Sequence, residues 1–130
     1  MKRSIFPSGA PWEPIVGYSR AVRHGPFVAV SGSAPVGPDG ELVGEGDPYV
    51  QAVRCIDIIR EALQAAGAGL EDVIRTRTYV TDIEQWAEIA RAHKEAFGDI
   101  MPATSMVQVS RLIDPGMLLE IEADAIVSED

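Results

Sequence analysis

The sequence predicts an α+β domain: a mixed β-sheet with two helices packed on one face. Two kinds of period predict it, together with their order. Five segments alternate apolar and polar residues or concentrate β-branched ones, as strands do, and two carry apolar residues at three- and four-residue spacing, as amphipathic helices do. They follow one another as ββαβαββ within 130 residues, a length suited to one domain spanning residues 1–130.

Arg20 to His24 and Pro26 to Ala34 read as a hairpin turning at His24-Gly25, and PFVAVSGSAP ends its second strand at Ser31-Gly32. GPDGELVGEGDP, residues 37–48, is dense in Gly, Pro and Asp and reads as a surface loop. Asp47-Pro48 supplies an N-cap and a first-turn proline. Val53, Ile56, Ile59, Leu63 and Ala66 then mark one face of a helix that stops at Gly67. Leu70 to Val73 is a turn into a strand from Ile74 to Val80. Asp82, with Gln85 three positions on, reads as a capping box for a second helix, whose apolar face carries Trp86, Ile89, Ala90, His93 and Phe97 before Gly98. Ala103 to Val109 is the next strand, and after a break at Ile113 to Gly116 the last runs from about Met117 to Val127. With both helices on one face, the other face lacks a cover within the chain, and an oligomer that packs those faces together is the simplest remedy.

Twenty acidic residues against eleven basic ones give a formal charge of −9 and no cationic cluster, which argues against a nucleic-acid partner. No segment approaches the ~20 apolar residues of a membrane span, and the N-terminus lacks the apolar core of a signal peptide, so a cytoplasmic address is expected with no membrane partner. Cys55 is the only cysteine and lies on the apolar side of the first helix, where packing explains it. His24 falls in a turn and His93 has no second histidine at i+3 or i+4, so neither a metal nor a cofactor is expected. Neither GxSxG nor a phosphate-binding glycine motif occurs.

Glu120, Glu122 and Asp124 alternate with Leu119, Ile121 and Ala123, and Arg75, Arg77 and Tyr79 show the same period. If the two strands are neighbours, the rows form a partly solvated salt-bridge ladder. The sharper alternative makes one carboxylate a general base. PATSMV, residues 102–107, opens a strand with adjacent hydroxyls on Thr104 and Ser105, followed by Met106.

VGYSRAV, VSGSAPV, LQAAGAGLEDVIRTRTYVTD, WAEIARAHKEAFGD, PATSMVQV and LLEIEADAIV follow in this order over nearly the whole chain. Together they resemble the RidA/YjgF family, the reactive-intermediate imine deaminases once labelled translation inhibitors or endoribonucleases of the L-PSP type. The resemblance implies a fold similar to bacillus-type chorismate mutase and a homotrimer with ligand clefts between subunits. It implies that Glu120 positions the attacking water, and that Tyr18 and Ser31-Gly32 complete the cleft. Thr104 stands where the deaminases' PAR[ST] motif has an arginine that pairs with the substrate carboxylate, Ala90 replaces a common asparagine, and GPYS is reduced to GYS. Thr104, Ser105 and Met106 are then expected ligand contacts, with Arg77 a possible substitute cation.

The function expected is a small-molecule hydrolase or deaminase acting on an imine, enamine or related carbonyl compound, with a substrate unlike that of the arginine-containing deaminases. A non-catalytic metabolite-binding member of the family is the second reading. An endoribonuclease is a distant third.

Overall fold

The computed structural model describes residues 1–128. Six strands form one sheet: β1 (Arg3–Phe6), β2 (Ala21–His24), β3 (Phe27–Ser33), β4 (Val73–Val80), β5 (Ala103–Gln108) and β6 (Leu119–Ile126). Three helices, α1 (Trp12–Val16), α2 (Pro48–Ala65) and α3 (Trp86–Phe97), complete the fold. The spatial order is β1-β2-β3-β6-β4-β5, with β4 and β5 parallel and every other pair antiparallel. From residue 21 onward the chain follows the expected ββαβαββ order. It is preceded by a strand and a short helix that were not foreseen.

Local chemistry sets the helix limits. The Asp47 carboxylate accepts from Val50 N at 3.1 Å, and Pro48 occupies the first turn, where its missing N–H costs nothing. At the other end Gly67 takes φ +81°, Gly67 N donates to Gln64 O and Ala68 N to Leu63 O, a Schellman closure that only a residue tolerant of left-handed backbone makes cheaply. Arg23 Nη1 from β2 adds a donor to Ala66 O at 2.8 Å, placing a cation at the negative end of the helix. The capping box expected at α3 forms only in half. Asp82 accepts from Glu84 N at 3.0 Å and opens a single 3₁₀ turn (Ile83–Gln85), while Gln85 Oε1 is buried without a partner among the described residues.

The core lies between the sheet and α2 with α3. Ile56, Ile59, Leu63 and Cys55 of α2 meet Val28 and Val30 of β3 and Leu119, Ile121 and Ala123 of β6, all nearly or wholly inaccessible to water. Each large aliphatic side chain so buried contributes roughly 1.5–3 kcal/mol. Ile89 and Phe97 of α3 join this core, whereas Trp86, expected on the same face, is 58% exposed. Burial also pushes the Cys55 thiol far up, as suits a packing residue. The opposite face of the sheet has no helix over it, and Ile5, Phe27, Val107 and Ile126 are exposed.

Candidate functional site

Alternation along β6 puts Leu119 and Ile121 into the core and turns Glu120, Glu122 and Asp124 to the uncovered face. β4 lies beside β6 in a register that sets Arg77 opposite Glu122 and Tyr79 opposite Glu120. The ladder expected from the sequence is present in part: Arg77 Nη1 lies 3.1 Å from Asp124 Oδ2 and 3.4 Å from Glu122 Oε1, and the Tyr79 hydroxyl donates to Glu122 at 2.9 Å, while Arg75 forms no ion pair among the described residues. Glu120 has no arginine within ion-pair distance among the described residues. Burial raises its pKa from the ordinary carboxylate value, the positive charge of Arg20 pulls it down, and Glu122 pushes it up.

A β-bulge frames this carboxyl. Val30 pairs with Ala123 but Ser33 pairs with Ile121, so β3 carries one extra residue at Ser31-Gly32. Gly32 packs directly on Glu120: a Cβ there would stand 2.8 Å from Glu120 Cδ and 3.1 Å from both carboxylate oxygens. Ser31 Oγ donates to Ser19 O at 2.7 Å, which pins the bulge to the segment carrying Tyr18. That segment is set by α1, which ends at Gly17 with φ +90°, while Tyr18 N donates to Glu13 O. Glu13 is itself buried and accepts from Ser8 N and the Ser8 hydroxyl. Tyr18, Gly32 and Glu120 line a groove of about 920 Å³ bordered by α1, the loop at 34–42 and α2.

Arg20, not selected from the sequence, lies in the same groove. Its Nη2 donates to Gly32 O, and its guanidinium carbon sits 5.9 Å from the centre of the Tyr18 ring. Gln51 was also missed. Wholly buried, it donates to Gly44 O and Gly116 O and accepts from Leu118 N at 2.8 Å, fixing the loop that delivers β6 to Glu120. A glutamine amid the apolar positions of α2 is the signal that could have marked it.

The expected contacts from PATSMV lie elsewhere. β5 is the sheet's edge, and in its parallel register with β4 Thr104 stands opposite Thr76, Ser105 opposite Arg77 and Met106 opposite Thr78. Thr76 is buried in the core, so Thr104 and Met106 face the helix side, and Ser105 faces the uncovered side with Arg77. The Thr104 and Thr76 hydroxyls are 2.7 Å apart, and Thr76 Oγ1 is 2.9 Å from His93 Nε2. Burial lowers the His93 pKa, so the ring is neutral at pH 7. Thr104, Met106, His93 and Ala90 line a second, mostly apolar cavity of about 360 Å³ with Phe97 and Met101.

One chain therefore brings Glu120, Tyr18, Ser31 and Gly32 together and places Thr104 and Met106 in a separate cavity, on the other face of the sheet from Glu120. Arg77 is engaged by Glu122 and Asp124 and does not approach Thr104. Among the described residues, no group of three or more His, Cys, Asp or Glu side chains is arranged to hold a metal ion, and no helix is long and apolar enough to cross a membrane.

Residues 8–127 match the family model described as Endoribonuclease L-PSP. The fold superposes with TM-score 0.89 on the crystal structure of Rv2704 from Mycobacterium tuberculosis, a member of the YjgF/YER057c/UK114 family, at 49% identity over 97% of this chain and 100% of that one. A RutC family protein of Pyrococcus abyssi is 40% identical over 95% of this chain and 96% of its own length. The 3-aminoacrylate deaminase RutC of Acinetobacter baylyi is 32% identical over 95% of this chain and 97% of its own. With the family model covering nearly the whole chain, and sequence relatives and a solved fold of full length agreeing with it, the chain belongs to the Endoribonuclease L-PSP family, the YjgF and RutC proteins.

Proposed function

We propose that the protein is a cytoplasmic hydrolase that deaminates a small imine or enamine, or acts on a related carbonyl compound, with Glu120 positioning the water. The observation that carries this reading is the Glu120 carboxyl itself, half-buried, outside the arginine ladder, packed on Gly32 and lining a groove with Tyr18. A carboxylate whose pKa is raised toward neutrality exchanges protons more readily at pH 7 than an ordinary one. The likeness to a 3-aminoacrylate deaminase supports the same class of reaction.

The chemistry balances without a cofactor. Water adds its oxygen to the imine carbon and gives up one proton to Glu120 as the C–O bond forms. Glu120 returns that proton to the nitrogen, giving the neutral carbinolamine; it then takes the hydroxyl proton and passes it to the amino nitrogen as the C–N bond breaks and the C=O bond forms, so that ammonia leaves with the carbonyl product. An enamine first takes a proton on carbon to become the imine. Tyr18 and Arg20 also line this space, and Gly32, in the bulge that the Ser31 hydroxyl pins, forms part of its floor.

We assign the remaining wall to a neighbouring subunit. β5 is an edge strand whose residues are mostly exposed, and the uncovered sheet face carries exposed apolar side chains, so a homotrimer covering these surfaces would bring the Thr104 and Met106 cavity of one subunit toward the Glu120 groove of the next. Thr104 there offers a hydroxyl already tied to Thr76, in an apolar wall. Ser105 and Arg77 face away from that cavity and are left out of the site.

The test is to generate 2-iminopropionate or 2-iminobutyrate with a pyridoxal-dependent enzyme and follow 2-oxo acid release with and without the protein. Acceleration supports the reading; its absence removes imino acids as substrates. The net charge of −9 gives no support to RNA as the substrate.

A further inference from the structure

Arg20 lines the groove beside Glu120, and its charge already acts on that carboxyl. Among the described residues, Arg54, Arg60, Arg77 and Arg91 of the nine arginines have a carboxylate within 4.0 Å; the other five do not, and of these only Arg20 has a buried nitrogen without a hydrogen-bond partner. That nitrogen is Nε, while Nη2 holds a neutral carbonyl, Gly32 O. A half-buried guanidinium whose charge partners, Glu13 and Glu120, stand beyond ion-pair distance is costly to keep. Its cost falls when an anion enters the groove.

The placement suits a particular kind of anion. Arg20 and Glu120 converge on the same residue, since the guanidinium holds the carbonyl of Gly32 and the Glu120 carboxyl packs against its α-carbon. A group bound to Arg20 therefore lies beside the place where Glu120 would hold water. In a 2-imino acid the carbon that water attacks is one bond from the carboxylate, so a compact ligand of this type spans the two side chains. The cation that Thr104 cannot supply is available on this side of the cleft, and Arg77 cannot serve because Glu122 and Asp124 occupy it.

We propose that Arg20 is the specificity-determining cation of the cleft: it receives the carboxylate of a small 2-imino or 2-enamino acid and aims the adjoining carbon at the water on Glu120. This rests on the reading of Glu120 given above. It adds a residue outside the six stretches' expected contacts and names the acid group as the feature recognised.

The experiment is titration calorimetry with pyruvate and with pyruvamide, which share the 2-oxo group and differ in the charge, against the full-length protein and its R20Q, R20K and E120Q variants. The wild type is expected to bind pyruvate about tenfold or more tightly than pyruvamide, the span of one charge-assisted contact. R20Q abolishes that preference, R20K retains part of it, and E120Q, which removes a negative charge beside Arg20, does not diminish it. Equal affinity of the wild type for acid and amide, no measurable binding of the acid, or an undiminished preference in R20Q overturns the proposal. The wild-type comparison decides the matter even if an Arg20 variant fails to fold. Because the preference is read at equilibrium, its loss is distinct from failure of the hydrolase reading, which shows as unchanged 2-oxo acid release.

Discussion

The hydroxyls of Thr76 and Thr104 meet at 2.7 Å across the parallel β4 and β5 pair, and Thr76 Oγ1 also lies 2.9 Å from His93 Nε2. Thr76 is fully buried and is the only link in this chain of three that water does not reach. Replacing it by valine keeps the shape and leaves a half-buried imidazole nitrogen without that partner. Thr76→Val is expected to cost roughly 1–3 kcal/mol of stability, measured by denaturant unfolding. Thr104→Val, at the exposed end, should cost less.

Gly32→Ala tests the contact between the bulge and the carboxyl. The new methyl would lie 2.8 Å from Glu120 Cδ, so the carboxyl must move. Displacement of a reacting group by about 1 Å costs on the order of a hundredfold in rate, and that loss should appear in 2-oxo acid release with little change in the melting temperature.

Stability against pH reports on Glu120 directly. Burial raises its folded pKa above the unfolded value of 4.5, so the folded state binds the proton more tightly than the unfolded one. The contribution is fully present below pH 4.5 and is lost as pH rises through the folded pKa. Glu120→Gln removes this dependence. Melting temperatures between pH 4 and 8 should show the variant gaining on the wild type as pH rises.

Arg77 belongs to the ladder on the uncovered face. Its pairs with Glu122 and Asp124 are exposed and screened by water, and Arg77→Gln should leave the denaturant midpoint little changed while 2-oxo acid release continues. A large loss of turnover would return Arg77 to the cleft.

Much of this fold was legible because its signals are local. Asp47-Pro48 and Gly67 bound α2 through caps made within a few residues, and the alternation of β6 separates core from acids without knowledge of its neighbours. β1 and α1 were not legible. Four residues of β1 are too few to show a period, and α1 lies among Pro7, Pro11 and Pro14, where it depends on the buried Glu13 holding Ser8.

In the site, period two already says that adjacent Thr104 and Ser105 point to opposite faces, yet which face each takes depends on the β4 and β5 register. Arg20 was passed over as an ordinary strand residue. Its position two residues after Tyr18 was the available sign, but only the bulge at Gly32 shows what the guanidinium meets.

The most direct measurement of the central claim is 2-oxo acid release from an enzymatically generated 2-imino acid by the wild type and by Glu120→Gln at equal concentration, with pyruvate binding measured on both. The account predicts acceleration by the wild type, its loss in the variant, and retained binding of pyruvate. Equal acceleration by both proteins would contradict the assignment of the water to Glu120.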